Sequence, residues 1–343
     1  MGHHALLQSS SDVSGGSFGE RRIIEAIRGR LDIMPELPVE FGDDVSAVNL
    51  ADGSKVAVLK TDMLVAATDV PAGMSFWQAG RKAVIMNISD FAAKGVPPVA
   101  ALVSLGLPNN FPKREVEAIA SGLNVGAREY GTYVIGGDTN EASDVVIAVF
   151  LFGTANPKQL MLRKGAKVGD IVAVSGVFGN SAAGLRVLLE KGKASRKLRD
   201  VLVNSVLMPC ARLKEGLALA NSGAVSASID SSDGLAWCLH ELSRVNNVGF
   251  ILDNIPMSDE VRQFGVLNGV DALDLVFYGG EEYELVVTVK PKLWADAASA
   301  VEKVGGTLLR IGEVTSKIRI VLKLDGKERL VEARGWEHFK RKI

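Results

Sequence analysis

The sequence predicts an α/β (α+β) protein with two domains. Strand-like apolar runs alternate with helix-like amphipathic segments along the chain, and this alternation is typical of sheets covered by helices. The 343 residues exceed what one hydrophobic core usually organises. The pattern changes near Asn156 and Pro157. We therefore expect a flexible N-terminal lead-in over residues 1–18, a first domain over 19–156 and a second over 157–343.

The first predicted domain begins with a short amphipathic helix over residues 19–29. Two β-rich runs, VSAVNL and KVAVLKTD, flank Asp52 and Gly53, and an Asp-Gly pair between such runs indicates a β-hairpin. A long helix is predicted over residues 75–95. The segments after it are predicted as a strand (AALVSLGLP), a helix (112–130), a strand (YVIGG) ending before Asp138, and a strand (VVIAVFLFGTA).

The second predicted domain continues the alternation of strands and helices. Its strands are predicted in IVAVS, SASID, VGFILD, YELVVTV, LLRIGEV and IRIVLKL. Its helices are predicted in SAAGLRVLLEKG, 207–222, LAWCLHELSRV, 257–275 and 291–304.

Composition excludes several classes of protein. The apolar fraction of 47% and charged fraction of 23% are those of a globular chain. A net charge of −1 without a basic tract gives no support to a nucleic-acid partner. No apolar run is long enough for a membrane span, and the first residues lack the pattern of a secretory signal. With only Cys210 and Cys238, no disulfide framework is expected, so we expect a cytoplasmic protein.

The predicted helix over residues 75–95 carries a polar line on an apolar surface. Asn87, Asp90 and Lys94 are three and four residues apart, which places their side chains on one helical face. A carboxylate on a largely apolar helix is costly to desolvate unless a positive charge meets it. The rest of the chain can supply further acids to the same point.

Aspartates follow apolar runs in several distant motifs: FGDD, LKTD, IGGDT and IDSSDG. Taken singly, aspartates in loops are mostly turn formers or helix caps. Taken together, oxygen ligands without clustered His or Cys favour Mg²⁺, which commonly bridges carboxylates to phosphate oxygens. The residues alone leave both interpretations open, and the metal interpretation points to phosphoryl transfer. Its candidate ligands are Asp44, Asp62, Asp90, Asp138, Asp230 and Asp233.

Other motifs narrow the chemistry. The chain contains no GxxxxGK[ST] phosphate loop and no GxGxxG in a dinucleotide-binding context. The pairs at Gly136-Gly137 and Gly279-Gly280 suit either close approach to a ligand or tight turns. Arg163 is either a solvated surface arginine or a phosphate contact. No Ser-His-Asp or Cys-His arrangement supports covalent catalysis.

Eight motifs in order carry a family resemblance: GDD, TDMLV, NISDFAAKG, IGGDT, LRKGAKVGD, IDSSDGL, GGEEYEL and IGEV. From Gly19 to Phe339 the chain resembles the thiamine-monophosphate kinases, relatives of aminoimidazole ribonucleotide synthetase and selenophosphate synthetase. The resemblance implies a PurM-like architecture, in which the N-terminal mixed sheet pairs with a second copy in a homodimer. It also implies that ATP phosphorylates thiamine monophosphate to thiamine diphosphate by direct in-line transfer, assisted by several Mg²⁺ ions and without a catalytic nucleophile.

The resemblance also assigns site residues, motif by motif. The implied metal positions are Asp44, Thr61, Asp62, Asp90, Asp138, Asp230 and Asp233. The implied ATP contacts are Tyr130, Gly137, Arg163 and Ser232. The implied contacts to the thiamine part are Asp69, Glu281 and Trp336, of which the last two supply a carboxylate and an aromatic plane to a cationic thiazolium.

Three positions depart from the family pattern. Lys60 stands where bacterial members carry Ser before the Thr-Asp pair, and Asp69 stands where many carry a His in the substrate pocket. Glu282 replaces the Asp of the GGEDYEL motif. The alternatives are a sister ATP-dependent enzyme and a non-catalytic nucleotide-binding scaffold. Selenophosphate synthetase is disfavoured because no Cys precedes Cys210, and the related maturation proteins because the chain ends in FKRKI without a Cys tail.

Overall fold

A computed structural model describes residues 19–32, 34–51, 53–189, 192–337 and 339. The predicted lead-in over residues 1–18 lies outside the described residues, as does Asp52 of the predicted hairpin turn. The chain divides into two compact units. The described residues between 36 and 336 form the large unit, and those before residue 36 and after residue 336 form the small one.

The small unit contains the predicted N-terminal helix, α1 (Glu20–Arg28). Glu20 lies in its first turn and Arg28 in its last, which suits the helix dipole. This helix confirms the amphipathic segment predicted over residues 19–29.

The large unit contains a five-stranded mixed sheet in the order β1-β2-β5-β3-β4. Its neighbours are antiparallel except for β3 and β4, which are parallel. The predicted hairpin is confirmed as the β1–β2 pair. The strands are β1 (Ser46–Asn49), β2 (Val56–Val65), β3 (Pro98–Leu107), β4 (Val134–Glu141) and β5 (Val146–Ala155).

Three helices follow the first strands of this sheet: α2 (Ala66–Asp69), α3 (Phe76–Lys94) and α4 (Lys113–Glu129). The start of α3 is fixed by a capping box between Ser75 and Gln78, and its end by Gly95 in the left-handed conformation. From Ala79 onward nearly all of α3 is buried. It therefore forms the central layer of the large unit, as the apolar period predicted.

A seven-stranded mixed sheet follows, in the order β12-β11-β8-β10-β6-β9-β7. Among the described residues of this sheet, β8 and β11 are parallel neighbours and the other neighbouring pairs are antiparallel. The strands are β6 (Ile171–Val174), β7 (Val225–Asp230), β8 (Gly249–Leu252), β9 (Leu285–Val289), β10 (Leu309–Thr315), β11 (Ile320–Leu324) and β12 (Lys327–Leu330). The accompanying helices are α5 (Asn180–Leu189), α6 (Arg196–Leu207), α7 (Leu213–Ser222), α8 (Leu235–Asn246), α9 (Asp259–Asn268), α10 (Ala272–Tyr278) and α11 (Trp294–Lys303).

Two boundaries differ from the sequence prediction. Asp138 does not follow a strand that ends at Gly137, because β4 continues beside β3 as far as Glu141. The helix predicted over residues 207–222 begins only at Leu213, since the chain turns at Met208 and Pro209, and proline cannot donate the helical hydrogen bond. Helices α2 and α6 and strand β12 have no counterpart in the sequence prediction.

Helix α3 joins the two sheets through one hydrophobic core. Phe91 of α3 and Leu151 of β5 belong to the same buried cluster as Leu219 of α7 and Val287 of β9. Two mixed sheets with packed helices confirm the predicted fold class. The domain boundary near residue 156 stays a prediction.

The sheet face opposite α3 retains apolar side chains at its surface. Met63 is 58% exposed and Leu102 43% exposed, while Phe150 and Phe152 are half-buried on the same face. Among the described residues, no helix combines the length and apolar character that crossing a bilayer requires.

Candidate active site

Three buried carboxylates from distant parts of the chain meet beside α3. Asp44 precedes β1, Asp90 lies on α3 and Asp230 ends β7. Each has one carboxylate oxygen within 4.8 Å of one oxygen of each of the others. The side chains of all three are almost completely buried. This cluster is the feature of the described residues that best fits a cation.

Neighbouring residues of α3 fix the geometry of the cluster. Ser89 Oγ donates a hydrogen bond of 2.8 Å to Asp230 Oδ2. Two residues before Ser89 on the helix, Asn87 Oδ1 accepts a hydrogen bond of 3.0 Å from the backbone amide of Asp62. The helix thereby ties both β2 and β7 to the surroundings of Asp90.

Two cations hold the loop that carries Asp44. Lys94 Nζ, fully buried, contacts Asp43 Oδ1 at 2.7 Å, Asp44 Oδ2 at 2.8 Å and the carbonyl of Ser228 at 2.8 Å. Arg163 Nε donates to Asp44 Oδ1 at 2.7 Å. Asp43 also accepts the backbone amide of Arg163. The polar line predicted on α3 thus lies in the core, with Lys94 as a counter-charge.

A third cation, Lys60 of β2, lies between two carboxylates. Its Nζ is 3.0 Å from Asp62 Oδ1 and 3.0 Å from Asp90 Oδ1. Burial lowers the pKa of Lys60, but Asp90, Asp62 and Asp230 outweigh burial and raise it above the ordinary value. Lys60 therefore links Asp62 to the cluster as a permanent positive charge.

The pKa values differ among the clustered acids. Burial raises the pKa of Asp44, but Arg163 and Lys94 outweigh burial and hold it below the ordinary value. Burial, together with the charges of neighbouring carboxylates, raises the pKa of Asp90 and raises that of Asp230 to about 6. Negative charge is thus incompletely neutralised at Asp90 and Asp230. A hard divalent cation with oxygen ligands, such as Mg²⁺, fits this donor set.

Two of the expected metal positions lie apart from this cluster. Thr61 lies between Lys60 and Asp62 on β2, and since side chains alternate along a strand, it faces the opposite side of the sheet. Asp138 lies exposed on the edge strand β4. It is three strands from β2, or about 14 Å at ordinary strand spacing. Within one chain the structure does not bring these two side chains to Asp90.

A second group of predicted residues meets at the Gly279-Gly280 turn. The amide of Glu281 donates to the carbonyl of Ser232 at 2.7 Å, and the amide of Trp336 donates to the carbonyl of Asp233 at 3.0 Å. The side chain of Trp336 is 46% exposed. The structure thus brings together four predicted residues, two from the nucleotide and metal sets and two from the thiamine set.

Lys82 of α3 joins this turn and was not identified from the sequence. Its fully buried Nζ contacts Glu281 Oε1 at 2.5 Å and the carbonyl of Asp69 at 3.0 Å. The available signal was a lysine within an otherwise apolar helical stretch, as it was for Lys94. Glu281 has a φ of 62°, in the left-handed region that is rare for residues other than glycine, as does Tyr283.

Three predicted contact residues have structural partners. Asp69 Oδ2 accepts the amide of Val65 at 2.8 Å and so closes the turn of α2. The Tyr130 hydroxyl accepts the amide of Ala211 at 2.8 Å, and burial raises the pKa of Tyr130 to about 12. Gly137 lies so close to β3 that a Cβ atom there would be 1.8 Å from the carbonyl oxygen of Val103.

Glu282, the departure in the GGEEYEL motif, accepts hydrogen bonds through Oε1. Its donors are the amides of Gly179 at 2.7 Å and Ser181 at 3.2 Å. Burial, with a contribution from the charge of Glu284, raises the pKa of Glu282 to about 8 although these hydrogen bonds oppose the shift. The folded protein therefore binds a proton here that an unfolded chain releases near pH 4.5.

We expect Glu282→Gln to change how stability depends on pH. Between about pH 4.5 and about pH 8 the wild type loses free energy of unfolding as pH rises, because only the folded state holds the proton. The variant lacks this proton-linked contribution, so its free energy of unfolding relative to wild type should increase by on the order of 3 kcal/mol from about pH 5.5 to about pH 8.5. Urea denaturation at both pH values measures the difference.

The exposed Glu313 supplies the matched control, since Glu313→Gln makes the same chemical change on the surface of β10. Its stability should follow that of the wild type at both pH values. Parallel pH profiles for Glu282→Gln and wild type would contradict the raised pKa.

Comparison with known proteins assigns a family to the segments that form both sheets. Residues 42–155 match the model of the AIR synthase related protein N-terminal domain, and residues 167–325 match that of the C-terminal domain. These two matches cover most of the chain and place the carboxylate cluster within both domains of that superfamily.

Individual relatives narrow the assignment. The thiamine-monophosphate kinase of Nitrosopumilus maritimus is 35% identical over 82% of this chain and 89% of its own length. That of Pyrococcus horikoshii is 36% identical over 88% and 91%. A solved structure named AaThiL complexed with AMPPCP and TMP has a TM-score of 0.81 and 29% identity, covering 93% of this chain and 97% of its own. The chain therefore belongs to the thiamine-monophosphate kinase family.

Proposed function

We propose that this chain transfers the γ-phosphoryl group of ATP to thiamine monophosphate, giving ADP and thiamine diphosphate. The observation that carries the proposal is the buried Asp44–Asp90–Asp230 cluster in a member of this family. Both substrates are anionic, so their approach requires positive charge at the point of transfer. The similar structure that holds AMPPCP and TMP together supports one site for donor and acceptor.

Mg²⁺ is the cation that we assign to the cluster, held by Asp44, Asp90 and Asp230. When bound, it would neutralise charge on the transferring phosphoryl group. Several ions belong to the proposal, because the carboxylates outnumber the cations around them. Direct in-line transfer between the two bound substrates also belongs to it. No side chain is assigned as a nucleophile.

The chain's own residues prepare this site. Lys94 and Arg163 hold Asp44 ionised, so that its loop stays in place before any ligand binds. Ser89 orients Asp230. Because Asp90 is on a buried helix rather than on a loop, its position is set by packing, which is a form of preorganisation.

The ATP contacts that we propose are Tyr130, Gly137, Arg163 and Ser232, with Asp62 and Asp233 as further metal positions. Ser232 is exposed beside the Gly279-Gly280 turn, which suits access by a nucleotide. Arg163 already contacts Asp44. Its role is therefore to position that carboxylate as well as to meet phosphate.

We place the thiamine part of the acceptor at Glu281 and Trp336. Asp69 lies near Glu281, because Lys82 contacts both the Glu281 carboxylate and the backbone carbonyl of Asp69. An exposed indole plane and a carboxylate suit a cationic thiazolium ring. Lys82 holds the Glu281 carboxylate in place, so the pair presents one fixed face to the substrate.

The homodimer is also part of the proposal. The exposed apolar side chains on the sheet face opposite α3 are unusual for a monomer, and a second copy of the same sheet is the occupant that we assign. We also propose a cytoplasmic location, since Cys210 and Cys238 are both free thiols.

Leu102→Asp should convert the dimer to a monomer, because a buried carboxylate at the interface would be unpaired. Analytical ultracentrifugation of the wild type and variant measures the change. Ile318→Asp, at an apolar residue that is 64% exposed elsewhere on the chain, serves as control and should stay dimeric. A monomeric wild type, or a dimeric Leu102→Asp, would refute this interface.

Formation of thiamine diphosphate from ATP, thiamine monophosphate and Mg²⁺ tests the activity. Asp90→Asn should lower kcat by at least about a hundredfold, because loss of metal charge stabilisation costs several kcal/mol. Trp336→Leu should instead raise the KM for thiamine monophosphate about tenfold and leave the KM for ATP unchanged.

Circular dichroism should show both variants folded. No product from the wild type at saturating ATP would redirect the acceptor to a sister reaction. Activity of Asp90→Asn equal to that of the wild type would remove the cluster from the reaction.

A further inference from the structure

Lys60 places one positive charge between two carboxylates of the acid cluster. It lies on β2 facing α3, and its side chain is 19% exposed. Its Nζ is equidistant, at 3.0 Å, from Asp62 Oδ1 and Asp90 Oδ1. These two acids come from different elements, β2 and α3, so the ammonium bridges them in the manner of a shared ion.

The other two cations of the site, Lys94 and Arg163, contact different carboxylates. Lys94 contacts Asp43 and Asp44, and Arg163 contacts Asp44. Lys60 is the cation within 4 Å of both Asp62 and Asp90 among the described residues. The site therefore has two separately neutralised parts, one around Asp44 and one around the pair that Lys60 bridges.

We propose that the ammonium of Lys60 takes the place of a divalent cation between Asp62 and Asp90, so that this chain binds one metal ion fewer than the same site would bind without the lysine. The inference rests on the proposed function only in that the cluster binds divalent cations. It assigns Lys60 as a positioning residue.

Replacement of a divalent cation by the Lys60 ammonium has a physical rationale. An ammonium offers three hydrogen-bond donors and one positive charge, enough to join two carboxylates although it carries less charge than Mg²⁺. Because it is covalently attached, it is present at any Mg²⁺ concentration. The pair Asp62 and Asp90 is thus joined before any metal binds, as Asp44 is already held by Lys94 and Arg163.

Removal of the lysine should therefore create a metal site. In Lys60→Ser, Asp62 and Asp90 lose their shared cation, and an additional ion can enter the space left by the side chain. Titration with Mn²⁺ alone, followed by calorimetry and by the electron paramagnetic resonance signal of free Mn²⁺, should give one more bound ion per chain than in the wild type.

A matched variant separates charge from side-chain identity. Lys60→Arg retains the positive charge and should bind the same number of Mn²⁺ ions as the wild type. Lys113→Ser, at a lysine whose side chain is 90% exposed, controls for the loss of a lysine and should also match the wild type. The melting temperature of Lys60→Ser should respond more to Mn²⁺ than that of the wild type.

An unchanged Mn²⁺ count in Lys60→Ser would overturn the inference, as would a gain of one ion in Lys60→Arg. If Lys60→Ser does not fold without metal, its recovery by Mn²⁺ but not by NaCl of equal ionic strength supports the inference, and failure of recovery overturns it. The titration contains neither nucleotide nor thiamine phosphate. Its outcome is therefore independent of whether the chain phosphorylates thiamine monophosphate.

Discussion

The burial of several carboxylates against one helix is the constraint on which the structure depends. Asp44, Asp90 and Asp230 are removed from water within 4.8 Å of one another. Uncompensated, such a cluster would oppose folding. Lys60 and Lys94 offset part of that cost, and the remaining negative charge is what the proposed divalent cation would neutralise.

This constraint explains why the site is built on α3. A helix fixed by a capping box at Ser75 and a left-handed Gly95 holds its side chains in defined positions. Apolar residues of α3 pack against both sheets, while Asp90 and Lys94 share its polar line. The same packing that stabilises the fold therefore positions the acids, and Lys82 extends the arrangement to the Glu281 turn.

Much of this arrangement could be predicted from local sequence signals, and the rest depends on long-range contacts and on the order of the strands in the sheet. The period of α3, its caps and the hairpin before it are local signals, as is the Ser195 cap of α6. The contact of Lys82 with Glu281 joins residues 199 positions apart, which no local pattern encodes. The opposite orientation of Thr61 and the remote position of Asp138 follow from strand alternation and strand order, and strand order is not visible in the motifs.

The location of bound metal tests the central claim most directly. Anomalous X-ray diffraction from crystals containing Mn²⁺ would locate the ion without reference to activity. The account predicts a Mn²⁺ peak within about 2–2.5 Å of carboxylate oxygens of both Asp90 and Asp230. Crystals saturated with Mn²⁺ that show no peak at these residues would contradict it, because the buried acids would then be a purely structural cluster.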